Sequence, residues 1–576
     1  LKLSHFGSPL SHHALPPRSP CLRDRWSRCI GLVRRGMLRD VGAKLIKWLG
    51  LGVATMVAKI LFDLRKARRL RRMLAQVPRA RCKSDFFLGC IPDLVKNKHR
   101  IHDWRNETTS GMPVAVLHGM LFDPRSSAMI ALRGPSLIKH FLKDNFDNYT
   151  KSSGDREAFW YYITMWLGKG IFNCRHGTAA PAEGHSWIKQ RKISSNIFSR
   201  GNFNSNMHNV FAAKAGRLCE KLESSAADGH RVDMQANFFC FTMDSIMQIF
   251  FGEAADTLNG ESSAYGDAYD QAHRAFVDYN FSNMASLRLF HLFPWPIGMP
   301  GGLLYRLHAA ASPTFAKFRA ACRTLDAESR RLVAKSRGDP ALAGRNDLLA
   351  LFVQSQEKER FSTKFLRDII LNFVIAGRDT TACALTWMFY ILATHPEIQT
   401  KLCEEIDRKC PKGHGPTFKQ LAASELPYLN GVLYETLRLY PPVPFDGKVA
   451  DRDDVLPDGT PVPAGAELFF FPYAMGREAH RYADPLTVRP ERWIPFQEPA
   501  PHEFPVFQAG PRICLGKDMA VFEAKLVACR LLQEYNFTLA PGEAEKITYH
   551  FTLTMSLCNS KTQESHHLWL IPHKRP

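Results

Sequence analysis

Cys514 stands in FQAGPRICLG, Phe507–Gly516, where an arginine-bearing turn runs into a helix-like stretch. A nucleophilic cysteine needs a histidine base, and a zinc cysteine needs companions at ligand spacing. Neither lies near it in the chain, and none of the fourteen cysteines forms a CxxC pair. A thiol at the start of a helix meets unsatisfied backbone N–H groups and the positive dipole end, which favour the thiolate. Gly510 and Gly516 permit close approach by a flat ligand, Phe507 shields one face of the loop, and Arg512 offers a fork to an anion. What remains is a solitary thiolate, Cys514, as the axial ligand of a haem iron.

Two further groups of residues could do chemistry. AGRDTT, Ala376 to Thr381, sits between IILNFVI and ALTWMFY, which are apolar almost all round and imply burial. Gly377 costs such a helix about 1 kcal/mol relative to alanine, and the Thr380 hydroxyl can bond the carbonyl of Ala376. Buried there, Asp379 and Thr380 form a candidate proton relay. In YETLRLYPPVP, Glu435 and Arg438 lie three apart on one helix face, where carboxylate and guanidinium can pair in bidentate fashion. Arg492, in PERW, is placed to complete a buried three-member network.

The elements that position these groups are mostly helices. Apolar residues recur at three and four spacings through Lys364 to Thr394 and Met519 to Tyr535. Ser362 is a candidate cap for the first of these, and His395 before Pro396 should end it. That helix would run about 48 Å at 1.5 Å per residue. Strand-like pieces come late, in PVPAGAELFFFPY and HFTLTMSL. The expected fold class is mainly α with a small β component, in one domain over residues 83–576 and with no linker that splits it.

The net charge of +21 does not indicate a nucleic-acid partner. Residues 1–82 hold 19 Lys and Arg against three Asp, a net +16, which leaves +5 on the other 494 residues. This basic leader contains WLGLGVATMVA, Trp48 to Ala58, extended on both sides to an apolar run over about 45–64 and followed by RKARRLRR, Arg65 to Arg72. The run approaches the ~20 residues a bilayer needs, and the arginines would stay on the cytosolic side. A membrane anchor is therefore expected, with a start at Met37 as one native arrangement. The Arg- and Ser-rich, acid-poor residues 1–44 also fit an organelle transit leader. The scattered cysteines read as reduced, mostly buried thiols in a protein facing the cytosol.

F-x-x-G-x-R-x-C-x-G at Phe507, Gly510, Arg512, Cys514 and Gly516 resembles the haem-binding signature of the cytochrome P-450 monooxygenases. A-G-x-D-T of the long helix, E-x-x-R and P-E-R follow in that family's pattern, and the resemblance covers roughly residues 84–560. It implies the P-450 fold, with haem b held by Cys514 and Arg512 and with Glu435, Arg438 and Arg492 bracing the core beneath it. WIKQR resembles the W-x-x-x-R whose Trp187 and Arg191 bind a haem propionate, and Lys448 is expected to bind propionate too. A narrower likeness, in NFDNYTK, GKGIFN, IPDLVKNKHRIHDW, DDVLPDGTPVPAG and GPRICLGKDMA, is to the long-chain fatty-acid omega-hydroxylase branch. It implies pocket walls at Phe172, Phe373, Ala376 and Val443. The chain departs from that branch in lacking a PPGP-like hinge and in a longer loop, NCRHGTAAPAEG, before Trp187.

The implied reaction is insertion of one atom of O2 into a lipophilic substrate, expected to be omega-hydroxylation of a fatty acid. Asp379 and Thr380 would deliver protons, and electrons would come from NADPH through a separate cytochrome P-450 reductase. Lys189, Arg191, Lys192 and Lys517 could offer that reductase a basic face. A solvated charged surface is an equal reading. The competing functions are a reductase-independent isomerase or dehydratase acting on lipid hydroperoxides, a P-450 hydroxylating a sterol or terpenoid, and a non-catalytic haem sensor or carrier. A monomer at a membrane surface is expected. Its place would be the endoplasmic reticulum with the catalytic domain in the cytosol, or else a plastid or mitochondrion.

Overall fold

The long apolar stretch forms an unbroken helix, Thr363–Thr394, and its ends are set by the residues that should set them. The Ser362 hydroxyl accepts from the Phe365 N–H at 3.1 Å, and the helix stops at His395 before Pro396. Gly377 leaves no gap in it. A Cβ there would lie 2.3 Å from Ile246 Cδ1, so the glycine lets a neighbouring helix approach closely.

In chain order the labelled helices are α1 (Pro20–Met73), α2 (Ala158–Leu167), α3 (Trp187–Ser195), α4 (Met234–Phe251), α5 (Ala264–Ser282), α6 (Pro313–Arg337), α7 (Thr363–Thr394), α8 (Pro427–Leu439) and α9 (Lys517–Glu534). Helices α4, α6, α8 and α9 all pack on α7. The structure, a computed structural model, describes residues 20–121, 123, 129–151, 158–176, 187–198, 203–261, 263–293, 297–355, 361–413, 415–550, 552–562 and 567–576.

A mixed five-stranded sheet, ordered β1-β2-β5-β4-β3, is built from β1 (Val114–Leu117), β2 (Met129–Leu132), β3 (Tyr149–Thr150), β4 (Asp446–Ala450) and β5 (Glu467–Phe470). β2 and β5 run parallel, with Ile130 opposite Leu468, and the other pairs are antiparallel. It buries Val116, Ile130, Leu132 and Leu468 in a small core of its own, separate from the large one around α7. A hairpin joins β6 (Ile547–Tyr549) to β7 (Leu557–Asn559). HFTLTMSL, strand-like by its alternation, is for the most part the turn of this hairpin instead. Its Thr552, Thr554 and Met555 are buried because the turn folds inward, where the Met555 carbonyl accepts from Trp387 Nε1 of α7 at 2.7 Å.

The chain divides into two units at Leu61/Phe62. In the larger unit Leu70, Leu74 and Val77 join the core of the sheet, so the basic end of α1 belongs to that body. In the smaller unit Ile46, Trp48, Leu51, Val53, Val57 and Leu61 are exposed. Among the described residues the one helix long and apolar enough to cross a membrane is α7, which is mostly buried. Residues 1–19 and 177–184, parts of the leader and of the longer loop, lie outside the described residues.

Candidate active site

Cys514 lies two residues before the Gly516 that precedes α9, and its N–H donates to the Phe507 carbonyl at 2.8 Å. Among the described cysteines it alone is exposed, yet burial is the leading influence on its thiol and pushes the pKa up. The sequence reading expected a thiolate here. The Gly516 N–H and the Arg191 charge do pull that way, but burial wins. A bound cation would reverse the balance, because a coordinating thiol is deprotonated outright.

Of the loop's two glycines, Gly510 serves the protein's own backbone. Gly510 has φ +64°, and a Cβ on it would lie 2.1 Å from the Leu142 carbonyl oxygen. Around Gly516 the nearest atom is Phe198 Cε1, 3.6 Å away. These contacts, rather than a flat ligand, account for Gly510. Gln508, a non-glycine residue, has φ +64° and is held by its side-chain hydrogen bond to Asp446. Phe507 is half-buried beside Lys517, 6.0 Å from its ring centre.

Cations gather at this loop. Arg512 Nη1 and Nη2 donate to the carbonyls of Ile171 and Cys174 at 3.2 and 2.6 Å, and its guanidinium lies 4.5 Å over the Trp187 ring. Burial lowers its pKa to about 10. Lys448 on β4 is buried against Phe146, 4.9 Å from its ring centre. Burial, then the charges of Arg512 and Lys151, hold its pKa well below the usual lysine value. Lys448 Nζ and Arg512 Nε are both buried without a hydrogen-bond partner among the described residues. Orphaned cationic donors beside an accessible thiol fit a haem, which brings two carboxylates and a metal. Arg191, expected on a propionate, donates from Nη1 to the Ile513 carbonyl at 2.8 Å and so braces the cysteine loop.

On α7 the Thr380 hydroxyl donates to the Ala376 carbonyl at 2.6 Å. Asp379 is buried between two partners, accepting from Arg378 Nη1 at 2.9 Å and approaching His273 Nδ1 at 3.3 Å. Burial alone would raise its pKa, but the Arg378 charge and the His273 hydrogen bond overcome that and hold it below the ordinary value. The Leu553 N–H donates to His273 Nε2 at 2.9 Å, which assigns the ring proton to Nδ1. Arg378 also pairs with Asp270 at 2.6 Å. Helix α5 and the β6–β7 turn thus lock the acid, and His273 is a site residue that sequence reasoning missed. Glu523 on α9 was missed too. It is buried, and burial pushes its pKa well up against the opposing pull of the Thr381 hydroxyl.

Glu435 accepts from Arg438 Nη2 at 2.6 Å, Arg492 Nε at 3.0 Å, Trp493 Nε1 at 2.9 Å and the Arg489 N–H at 2.9 Å, so the expected network forms in the core. Of the four expected wall residues, Phe373 is buried edge-on to Phe250, Ala376 is half-buried, and Phe172 and Val443 are exposed. Val443 adjoins Pro442, whose carbonyl accepts from the Met555 N–H at 2.9 Å. The proposed basic face is largely engaged. Lys517 pairs with Glu498, Lys189 lies 4.9 Å from the Phe361 ring centre, Arg191 is turned inward, and Lys192 is exposed.

The Cytochrome P450 family profile matches residues 117–565 of this chain. The chain is similar to cytochrome P450 CYP94D108 of Paris polyphylla, 33% identical over 79% of this chain and 86% of the relative. It is likewise similar to cytochrome P450 704C1 of Pinus taeda, 33% identical over 73% and 81%. With cytochrome P450 94C1 of Arabidopsis thaliana it is 31% identical over 77% and 84%.

Proposed function

This chain belongs to the cytochrome P450 family of haem b monooxygenases, and we propose that it hydroxylates long-chain fatty acids at or near the methyl end. It uses O2 and electrons from NAD(P)H delivered by a redox partner, and its substrate is lipophilic. The fatty-acid reading is supported by the likeness of five segments to the omega-hydroxylase branch. The structural observation that carries the haem-thiolate chemistry is the exposed Cys514 thiol on its loop, together with the orphaned donors of Arg512 and Lys448.

When bound, the haem supplies activation of dioxygen and transfer of one oxygen atom. Cys514 Sγ would ligate its iron, with Phe507 beside the loop. Lys448, Arg512 and Trp187 would take the propionates, the two cations meeting the carboxylates their orphaned donors lack. Protons would come through α7. The Thr380 hydroxyl, parked on the Ala376 carbonyl, would turn to donate, and Asp379, held as the carboxylate, would relay to it a proton taken up from solvent once one carboxylate oxygen leaves His273 or Arg378. Phe172, Phe373, Ala376 and Val443 would restrain the acyl chain end-on, so that the terminal carbon rather than a weaker internal C–H meets the oxygen.

Residues 45–64 would anchor the chain to the endoplasmic reticulum, supported by their exposed apolar side chains and the arginines that follow, with a monomeric body in the cytosol beside a P-450 reductase. The test is to reconstitute the full chain with NADPH and a P-450 reductase, present a mixed lipid extract, and identify oxygenated products by mass. Terminally hydroxylated fatty acids are expected. A sterol or terpenoid product, or turnover of lipid hydroperoxides without reductant, would overturn the reading.

A further inference from the structure

Between α2 and α3 the backbone of residues 168–174 passes so close to α7 that its glycines leave no room for a side chain. A Cβ on Gly168, where φ is +69°, would lie 2.0 Å from the Asp368 carboxylate, and a Cβ on Gly170 would lie 2.0 Å from the Asn372 amide. Asp368 and Asn372 are fully buried, one turn apart on α7. They hold the segment by its backbone. Asp368 Oδ2 accepts from the Lys169 N–H at 3.0 Å, and Asn372 Oδ1 accepts from the Phe172 N–H at 3.4 Å. Asn372 Nδ2 donates to the Leu167 and Asp368 carbonyls, both at 2.8 Å. From the other side Arg512 holds the carbonyls of Ile171 and Cys174. Phe172 is thus fixed through its main chain while its side chain stays exposed, and the residue that holds it precedes Phe373 and lies four before Ala376.

We infer that Asp368 and Asn372 are positioning residues that set where the Phe172 ring stands, and through it which carbon of the substrate is oxidised. The inference rests on the reading above both for the identity of that substrate and for Phe172 as a wall of its pocket. Neither residue acts on the reacting atoms. Each acts through Phe172, and a displacement of about 1 Å at such a contact is enough to change rates by up to ~100-fold, which appears as a change in product ratio when neighbouring carbons compete.

The test uses the full chain with its haem and a P-450 reductase, dodecanoic and hexadecanoic acids as probes, and three variants: Asn372→Ser, Gly170→Ala and Phe172→Leu. Two readouts are taken, the hydrogen exchange of the peptide spanning 168–174 and the ratio of terminal to in-chain alcohol. Asn372→Ser and Gly170→Ala should both speed exchange in that peptide. Both should change the ratio by about 10-fold in the direction that Phe172→Leu changes it. The carbon monoxide spectrum should stay that of the parent. Adding Phe172→Leu to Asn372→Ser should change the ratio no further, because the two act through one ring. Faster exchange with an unchanged ratio in both perturbed variants would overturn the inference, as would an Asn372→Ser shift that Phe172→Leu does not share. If Asn372→Ser fails to fold, Gly170→Ala decides. A parent enzyme that oxidises neither acid refutes the fatty-acid reading alone, and the positioning inference is then judged on the ratio of products formed from the lipid it does oxidise.

Discussion

Replacing Glu435 with alanine removes the anion from a network that contains two buried cations. Glu435 and Arg438 are fully buried, and the Arg492 side chain is 8% exposed. After the change Arg438 keeps the carbonyls of Gly476, Pro485 and Thr487, and Arg492 keeps those of Ala483 and Asp484, so their hydrogen bonds are partly retained while their charges are not balanced. Breaking a buried pair from one side costs about 3–5 kcal/mol, and the remaining carbonyls favour the lower end. Against a total of about 5–15 kcal/mol that is a large share. In urea, at a slope of about 3 kcal/mol/M, a loss of about 3 kcal/mol lowers the unfolding midpoint by about 1 M. The assay is a urea titration of parent, Glu435→Ala and Glu435→Gln followed by far-ultraviolet circular dichroism and by haem absorbance. Glutamine keeps an acceptor and should fall between the other two. A Glu435→Ala midpoint equal to that of the parent would show that these contacts do not stabilise the core, and the reasoning fails.

Thr380→Ala should lower product formed per reductant consumed by about 100-fold, the lower end for a lost proton-transfer group, and release peroxide, and unchanged coupling would place the relay elsewhere. Cys514→Ser should abolish the strongly red-shifted Soret band of the reduced carbon monoxide complex, and an unaltered spectrum would remove the proposed ligand. Lys448→Met should weaken haem retention yet stabilise the haem-free protein, because an unpaired buried cation is lost. Since the folded pKa of Lys448 is depressed, the unfolded chain binds the extra proton, so the haem-free parent should gain stability as pH rises towards the usual lysine pKa. The variant should lack that gain, as alkaline thermal melts would show. Asp379, depressed in the fold, contributes stability that is present above about pH 4 and lost as pH falls through its folded pKa. Acid melts of Asp379→Asn should lack that loss, and an identical acid profile would contradict the pairing with Arg378.

Signals that act within a few residues were legible in the sequence. The Ser362 cap, the stop before Pro396, the Thr380 bond to Ala376 and the Glu435–Arg438 pair at three-residue spacing are all local, and all appear in the structure. Arg492, named in PERW as the third member, lies far along the chain and also donates to Glu435. Partners set by packing were not legible. His273 is more than a hundred residues from Asp379, and nothing around it marks it as a ligand of that acid. The thiol pKa of Cys514 also escaped, because local N–H groups were visible in the sequence and burial was not. HFTLTMSL misled for the same reason, since alternation that serves an inward-folded turn looks like alternation that serves a sheet.

Helix α7 is apolar enough to cross a bilayer, although it is buried in protein. While the chain is being made, its later neighbours α8 and α9 do not yet exist to cover it, and a membrane close by would compete for it. Arg378 and Asp379 stand at its midpoint, where each charge costs about 2.5–3.5 kcal/mol on insertion. The ion pair that sits at the centre of the finished enzyme therefore opposes insertion of the nascent helix into lipid.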